Sequence, residues 1–269
     1  MNVVLNDQRL DRNGLDGRMS ARVGIGQGQA CRLICGSFAT LSDQGFAVDW
    51  LIDQMVEVMN EHPPAEINDP IDGSNDYGGS GRWDGIVRSQ LALCYAVLKG
   101  GPEPKMLGYW HVMLITDELF IRAMNGENVN KELTEADVLL PTSEGNYSLY
   151  FVDLFTRSTA THHWTVGRLA IGFIALLKQW QRSGIYVKRM VAHPSELQGE
   201  IIAREAGFSP GKKHKYHRLY RVKGVAESGL KECVMHSIDL TSAATFKLFH
   251  WAKYAGDLKE LYAEHFVSR

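Results

Sequence analysis

Apolar residues in the middle of the chain switch period three times, and the switches predict elements in a definite order. Tyr147 to Thr156 (Tyr-Ser-Leu-Tyr-Phe-Val-Asp-Leu-Phe-Thr) is dense in aromatic and aliphatic residues over a strand's length and predicts a β-strand. A longer apolar pattern opens near Thr165-Val166-Gly167-Arg168 and continues through Leu-Ala-Ile-Gly-Phe-Ile-Ala-Leu-Leu to Lys178, and its length selects a helix. Ile185 to Ala192 returns to strand composition. A second helix runs from about Ser195 to Arg204 and stops at Ala206-Gly207-Phe208, with Gly in the usual stop position. A strand that hands onto a helix N-terminus makes an anion site. The first helical N–H groups lack internal acceptors, and the helix dipole adds partial positive charge there.

The flanking pattern is less regular. Cys31 to Thr40 reads as a short strand, and Ser42 or Asp43 as the cap of a helix through Phe46, Trp50, Leu51, Met55 and Met59, ended by His62-Pro-Pro64. Asn68 to Gly81 is dense in Asp, Asn, Gly and Ser and predicts a long surface loop. Asp69, Asp72 and Asp76 lie in it, but the Gly and Glu that an EF-hand needs are not in place. Trp83 to Lys99 predicts a helix, or a helix running into a strand. Met106 to Thr116 predicts a strand, and Asp117 to Met124 a short helix capped by Thr116 or Asp117. Glu132 to Leu140 reads as a helical or turn segment capped by Thr134. Lys215 to Val222 and Glu232 to Asp239 predict two strands, and Thr241 to Phe266 a C-terminal helix or two.

Composition narrows the class. The chain has 269 residues with 45% hydrophobic and 22% charged, enough for one sizeable core. Residues 1–30 are rich in Gly, Asn, Asp and Arg and read as a flexible arm before a single domain over 31–269. Gly24-Ile-Gly26-Gln-Gly28 follows no apolar strand and precedes no Lys-Ser/Thr pair, so it fails as a phosphate loop. A net charge of −2 gives no reason to expect nucleic acid or an anionic membrane as partner. The local basic group Lys212, Lys213, His214 and Lys215 reads as a solvated turn. Cys31 and Cys35 have no second pair at zinc spacing, so no metal is expected. Four cysteines in a long chain, with no signal-like or bilayer-length apolar run, fit a reduced, cytoplasmic protein.

Strand, loop, helix, strand, helix, Gly-Phe and then paired strands resembles the C-terminal half of the Gcn5-related N-acetyltransferase (GNAT) superfamily, from about Met106 to Asp239. The segment from Asn125-Gly126-Glu127 to Leu139-Leu140-Pro141 resembles an insertion of some bacterial members. The resemblance implies an α/β fold with a mixed, mostly antiparallel central sheet flanked by helices, elaborated by helices at both ends. It implies acetyl-CoA or another acyl-CoA as co-substrate and an amine acceptor, small molecule or protein, that attacks directly. A homodimer is the default assembly.

The residue assignments follow from that resemblance. The family's pyrophosphate loop has Gln or Arg, two residues, Gly, one residue, then Gly or Ala. The best register is His162-His163-Trp164-Thr165-Val166-Gly167, with Arg168 after it. Only Gly167 matches; Thr165 replaces a Gly and adds a side chain where backbone would approach phosphate. Backbone groups of Phe155, Thr156 and Arg157 would pair with the pantetheine arm if a bulge splays the central strands. The helix before Gly-Phe has Ala203 where a thiolate-protonating Tyr is usual, so Tyr216 or Tyr220 on the following strand is the candidate donor, the alternative being strand tyrosines with their hydroxyls in water. Asp153, an acid among apolar strand residues, is the expected base, because an acceptor amine must lose a proton to react. The rival role for Asp153 is a structural pair with Arg157 or another cation. The degenerate loop and missing Tyr leave a second reading open: a GNAT-like protein that binds a partner or small molecule without turnover.

Overall fold

The computed structural model describes residues 33–61, 82–127, 129, 133–157, 162–194, 197–213, 219–221, 230–232, 234–241 and 257–267. β1 (Leu33–Ser37) leads into α1 (Phe38–Asp43), where Ser37 caps the helix by accepting the Thr40 amide. Then come α2 (Val48–Asn60), α3 (Arg82–Ser89), β2 (Cys94–Lys99) and β3 (Lys105–Ile115). α4 (Asp117–Met124) is capped by the Thr116 hydroxyl, which accepts the Leu119 amide. A capped 3-10 turn (Glu135–Asp137) precedes β4 (Val138–Leu139). β5 (Gly145–Thr156), α5 (His162–Arg182), β6 (Ile185–Ala192) and α6 (Leu197–Glu205) follow in sequence. β7 (Ser209–Lys213), β8 (Leu219–Arg221), β9 (Leu230–Glu232), β10 (Val234–Asp239) and α7 (Leu258–Val267) complete the described elements.

The sheet order is β1-β2-β3-β5-β6-β10-β7, with β4 on β3 beyond the end of β2. Every neighbouring pair is antiparallel except β5 and β6. Parallel neighbours need a crossover, and α5 supplies it. The result is the mixed, mostly antiparallel α/β sheet that the GNAT resemblance implies. β8 and β9 pair with each other as a separate ribbon.

β3 is buried from Met106 to Ile115 because helices cover both faces of the sheet there. On one face α5 packs Leu169, Phe173 and Leu177 against Trp110, Leu149 and Val187. On the other, α1 and α2 pack Phe38, Leu51 and Met55 against Tyr109 and Leu98. Beside them α4 covers Met113, Tyr150 and Val191 with Leu119 and Phe120. Fully burying one such side chain stabilises the fold by about 1.5–3 kcal/mol.

Two glycines set how close α5 lies to the sheet. A Cβ on Gly172 would meet the Tyr95 ring at 2.5 Å, and one on Gly108 would meet Thr165 Cγ2 and the Phe155 carbonyl oxygen at 2.8 Å. Gly in a strand often marks such close approach. At the other end of the pair, α7 docks on β6: the Val187 amide donates to the Tyr262 hydroxyl at 3.2 Å, and His265 stacks on Tyr186 at 3.6 Å.

Several expectations shift. The long helix starts at His162, not Thr165, so the expected loop residues His162 to Gly167 form its first turns; none of them breaks a helix strongly enough to delay it. Phe38–Asp43 is a separate helix, so Ser42 and Asp43 close α1 instead of capping α2, which starts after Ala47 without a side-chain cap. Of the alternatives for Trp83 to Lys99, helix then strand is realised. Ser209–Lys213 is an additional strand, and it takes the place beside β10 that was expected for Lys215 to Val222. The C-terminal helix is described from Leu258; residues 1–30, the Asn68 to Gly81 loop and residues 242–256 lie outside the described residues.

Candidate functional site

The strand β5 has two different halves. From Gly145 to Phe151 it pairs with β6, and from Ser148 it also pairs with β3 on the other side; the β5–β6 ladder ends at Phe151↔Ala192. Next, the β3–β5 register slips between His111 and Val112, where Asp153 and Phe151 are the partners and Val152 is the extra residue. This is a bulge of the kind that ends pairing and re-aims side chains. Beyond it β5 continues to Thr156 against β3, while β6 has stopped. A notch therefore opens beside Val152 to Thr156, with the start of α5 at its far end.

The ladder parity decides which backbone groups face this notch. The Arg157 amide donates to the Leu107 carbonyl at 2.8 Å, so Arg157, Phe155 and Asp153 turn their backbone groups to β3. Leu154 and Thr156 turn theirs toward the notch. Of the three residues expected to meet pantetheine through the backbone, Thr156 has the orientation. The Arg157 side chain is also committed: its Nε donates to the Met106 carbonyl at 2.7 Å, Nη2 reaches Glu57 at 2.7 Å, and Nη1 pairs with Glu61. That guanidinium holds the Glu57 carboxyl below its usual range and fastens α2 to the end of β5.

At the far end of the notch stands the start of α5, whose first amides, from His162 to Trp164, have no acceptor within the helix itself. Thr165 is buried against Gly108, Trp164 is 54% exposed, and Arg168 is exposed. A Cβ on Gly167 would meet nothing within 4 Å, so the helix surface there is open. Val166 is half-buried; the side chains of His162 and His163 lie outside the described residues, as does Tyr216.

Asp153 is half-buried on the face opposite α5. It stands at the end of a row in direct register across neighbouring strands, Cys94↔His111↔Asp153, with Ala96↔Tyr109↔Phe155 beside it. Cys94, His111 and Tyr109 are fully buried. Burial pushes the His111 pKa down to about 4, so its imidazole is neutral at pH 7. Burial raises the Cys94 thiol and the Tyr109 phenol, and the charge of Asp153 pushes both the same way. The Tyr109 hydroxyl has no hydrogen-bond partner among the described residues. The row that Asp153 shares with His111 and Cys94, and Tyr109 beside it, had no signal in the sequence, because strand periodicity cannot tell which polar residues line up across strands; Gly108 inside an apolar strand was the signal available for the close approach of α5.

A second carboxylate shows the opposite environment. Asp117, at the start of α4, receives Lys188 at 2.6 Å, the Ser148 hydroxyl at 2.7 Å and Arg189 at 3.0 Å. The Lys188 hydrogen bond, then that of Ser148, hold its carboxyl down to about 2. It is locked as an ion-pair partner beneath the fully paired half of β5.

No family model matches the sequence, and no curated protein matches it. Among solved structures, a polyamine N-acetyltransferase of Drosophila melanogaster aligns with 77% of this chain and 100% of its own, at 10% identity and a TM-score of 0.45. An N-acyl amino acid synthase from uncultured soil microbes aligns with 82% of this chain and 100% of its own, at 8% identity and a TM-score of 0.41. The NatC complex bound to Gag peptide and CoA gives 77% and 98%, at 10% identity and a TM-score of 0.40. The GNAT-like fold reading stands on the strand order, the single parallel pair and the bulge described above. Among the described residues no helix is long and apolar enough to cross a membrane.

Proposed function

We propose that this protein transfers an acyl group from an acyl-CoA, most simply acetyl-CoA, to an amine by direct attack. The observation that carries the reading is the notch: a strand that has lost one neighbour is followed in the chain by the N-terminus of a long helix. Backbone groups of Leu154 and Thr156 would meet the amide groups of the pantetheine arm as a neighbouring strand would. The first amides of α5, from His162 to Trp164, with Arg168 beside them, would receive the pyrophosphate, and the open surface at Gly167 leaves it room. Asp153, on the face away from α5, would take the proton of the attacking amine; the new N–C bond forms, the C–S bond breaks, and CoA leaves as thiolate.

The test is calorimetric titration of acetyl-CoA into the wild type and Gly167→Trp. Because a side chain at Gly167 meets no other part of the described chain, the variant should keep its melting temperature and lose binding. A wild type that binds neither acetyl-CoA nor longer acyl-CoAs would sink the reading. A second reading, binding without turnover, is favoured by one observation: Ala203 on α6 is buried, so the family's usual position for a proton-donating Tyr offers only a methyl group. Tight acetyl-CoA binding with no CoA release across a panel of amines, including protein N-termini and lysines, would select it.

A further inference from the structure

We infer that the outer face of α5 reads the nucleotide end of the donor: the Trp164 indole is a stacking platform for adenine, with the Arg168 guanidinium beside it at the phosphates. The donor would then be a free CoA thioester, not a phosphopantetheine thioester that lacks a nucleotide. The inference rests on the acyl-CoA reading and names the donor class for the same site. Trp164 stands apart from the other described tryptophans. Trp50 is half-buried and stacked on Phe46 at 5.5 Å, and Trp110 and Trp180 are 1% and 2% exposed, whereas Trp164 is 54% exposed. Among the described residues it is the one aromatic side chain in the set of exposed large hydrophobics, and no hydrogen bond or ring contact holds it.

Its neighbours on the helix complete the surface. Thr165, Leu169 and Phe173 carry the buried face of α5. Trp164, Gly167 and Arg168 are spaced i, i+3 and i+4, so they share another face. Helical side chains lean toward the N-terminus, which carries the Arg168 side chain back over the turn of Trp164. Arg168 is exposed and, among the described residues, has no ion pair or hydrogen bond. A Cβ on Gly167 would meet nothing within 4 Å, so no part of the described chain covers the space between the indole and the guanidinium. A flat π-surface beside an uncommitted guanidinium suits a ligand with a planar base and phosphates. Stacking of a base on an aromatic side chain typically changes affinity by about 5- to 100-fold. With the pyrophosphate at the first amides of α5, pantetheine runs one way along β5 and the adenosine leaves the other way, over this face. A phosphopantetheine thioester on a carrier protein ends at its first phosphate and would leave the indole bare.

The experiment is calorimetric titration of acetyl-CoA and of S-acetyl-4′-phosphopantetheine into the wild type and Trp164→Ala. The wild type should bind acetyl-CoA the more tightly by about tenfold or more. Trp164→Ala should weaken acetyl-CoA by about tenfold and leave acetyl-phosphopantetheine within about twofold of the wild type. Stacking on adenine also quenches indole emission, so acetyl-CoA should dim the fluorescence of the wild type more than that of Trp164→Phe. Equal affinity of the wild type for the two donors overturns the nucleotide-reading face and leaves the acyl-CoA reading intact. So does a Trp164→Ala variant that binds acetyl-CoA as the wild type does, or that weakens both donors alike. Equal quenching in the wild type and Trp164→Phe overturns it as well. Absence of binding by both donors overturns both readings.

Discussion

The two halves of β5 have similar apolar composition and opposite fates. The first half, to Phe151, pairs with β6 throughout and with β3 from Ser148, and the carboxylate beneath it, Asp117, is neutralised by Lys188 and Arg189. Past the bulge at Val152 the strand loses β6, and the carboxylate it carries, Asp153, stands beside buried neutral groups. A cation beside a carboxylate makes it a poor base, because it stabilises the charged form. The same side-chain chemistry is thus an ion-pair partner in one half and, under the proposed function, the base in the other, and one extra residue separates the two.

The sharpest way to break this contrast is Asp153→Asn. We expect kcat/KM for acyl transfer to fall about 10²–10³-fold, within the usual range for a general base, while calorimetric acetyl-CoA affinity stays within twofold of the wild type, roughly 0.4 kcal/mol. A kcat/KM that stays near wild type would remove Asp153 from the chemistry. Next in size is Gly108→Ala, which places a methyl group against the Phe155 carbonyl and Thr165. Overpacking of this kind should cost about 1–3 kcal/mol in urea unfolding and lift α5 from the open half. A stability loss without weakened acetyl-CoA binding would show that the height of α5 does not shape the notch.

His111 gives a pH signature of its own. Its folded pKa, about 4, lies below the ordinary value of 6.5, so the unfolded chain binds the proton first. Stability is full above pH 6.5 and declines as pH falls toward 4, by about 1.4 kcal/mol per pH unit at most. His111→Gln should remove that slope in urea titrations between pH 6.5 and 4; Asp117, whose carboxyl titrates between 3.8 and about 2, acts only below that window. The smallest effect is expected for Tyr109→Phe. It deletes a buried hydroxyl with no partner among the described residues, so stability should hold or rise by up to about 1 kcal/mol. A loss beyond about 1 kcal/mol in urea unfolding would mean that the hydroxyl is satisfied in the free protein.

Much of this architecture was legible in the chain. The strand–helix–strand–helix order from Tyr147 to Gly207 appears as expected, because long periodic segments bury one continuous face and leave little choice. Asp153 stood out because a carboxylate within an apolar strand needs a reason. The register was not legible. The slip at Val152 depends on how β3 and β5 meet, a long-range pairing that no local pattern encodes, and it decides that Thr156 instead of Phe155 or Arg157 faces the notch. The start of α5 was misplaced for a related reason: the family's loop signature was expected over residues whose own propensities favour helix.

The half-paired strand has an energetic consequence for the free protein. If a donor completes the sheet beside Leu154 and Thr156, as proposed, part of the sheet's cohesion is supplied only on binding. Under the proposed function, donor binding adds RT ln(1 + [L]/Kd) to the folding free energy, about 2.7 kcal/mol at a hundred times Kd. The local opening that this binding suppresses should centre on β5 beyond Phe151 and on the first turns of α5. Metabolic supply of the donor would then govern how much of the protein survives proteolysis as well as how fast it works.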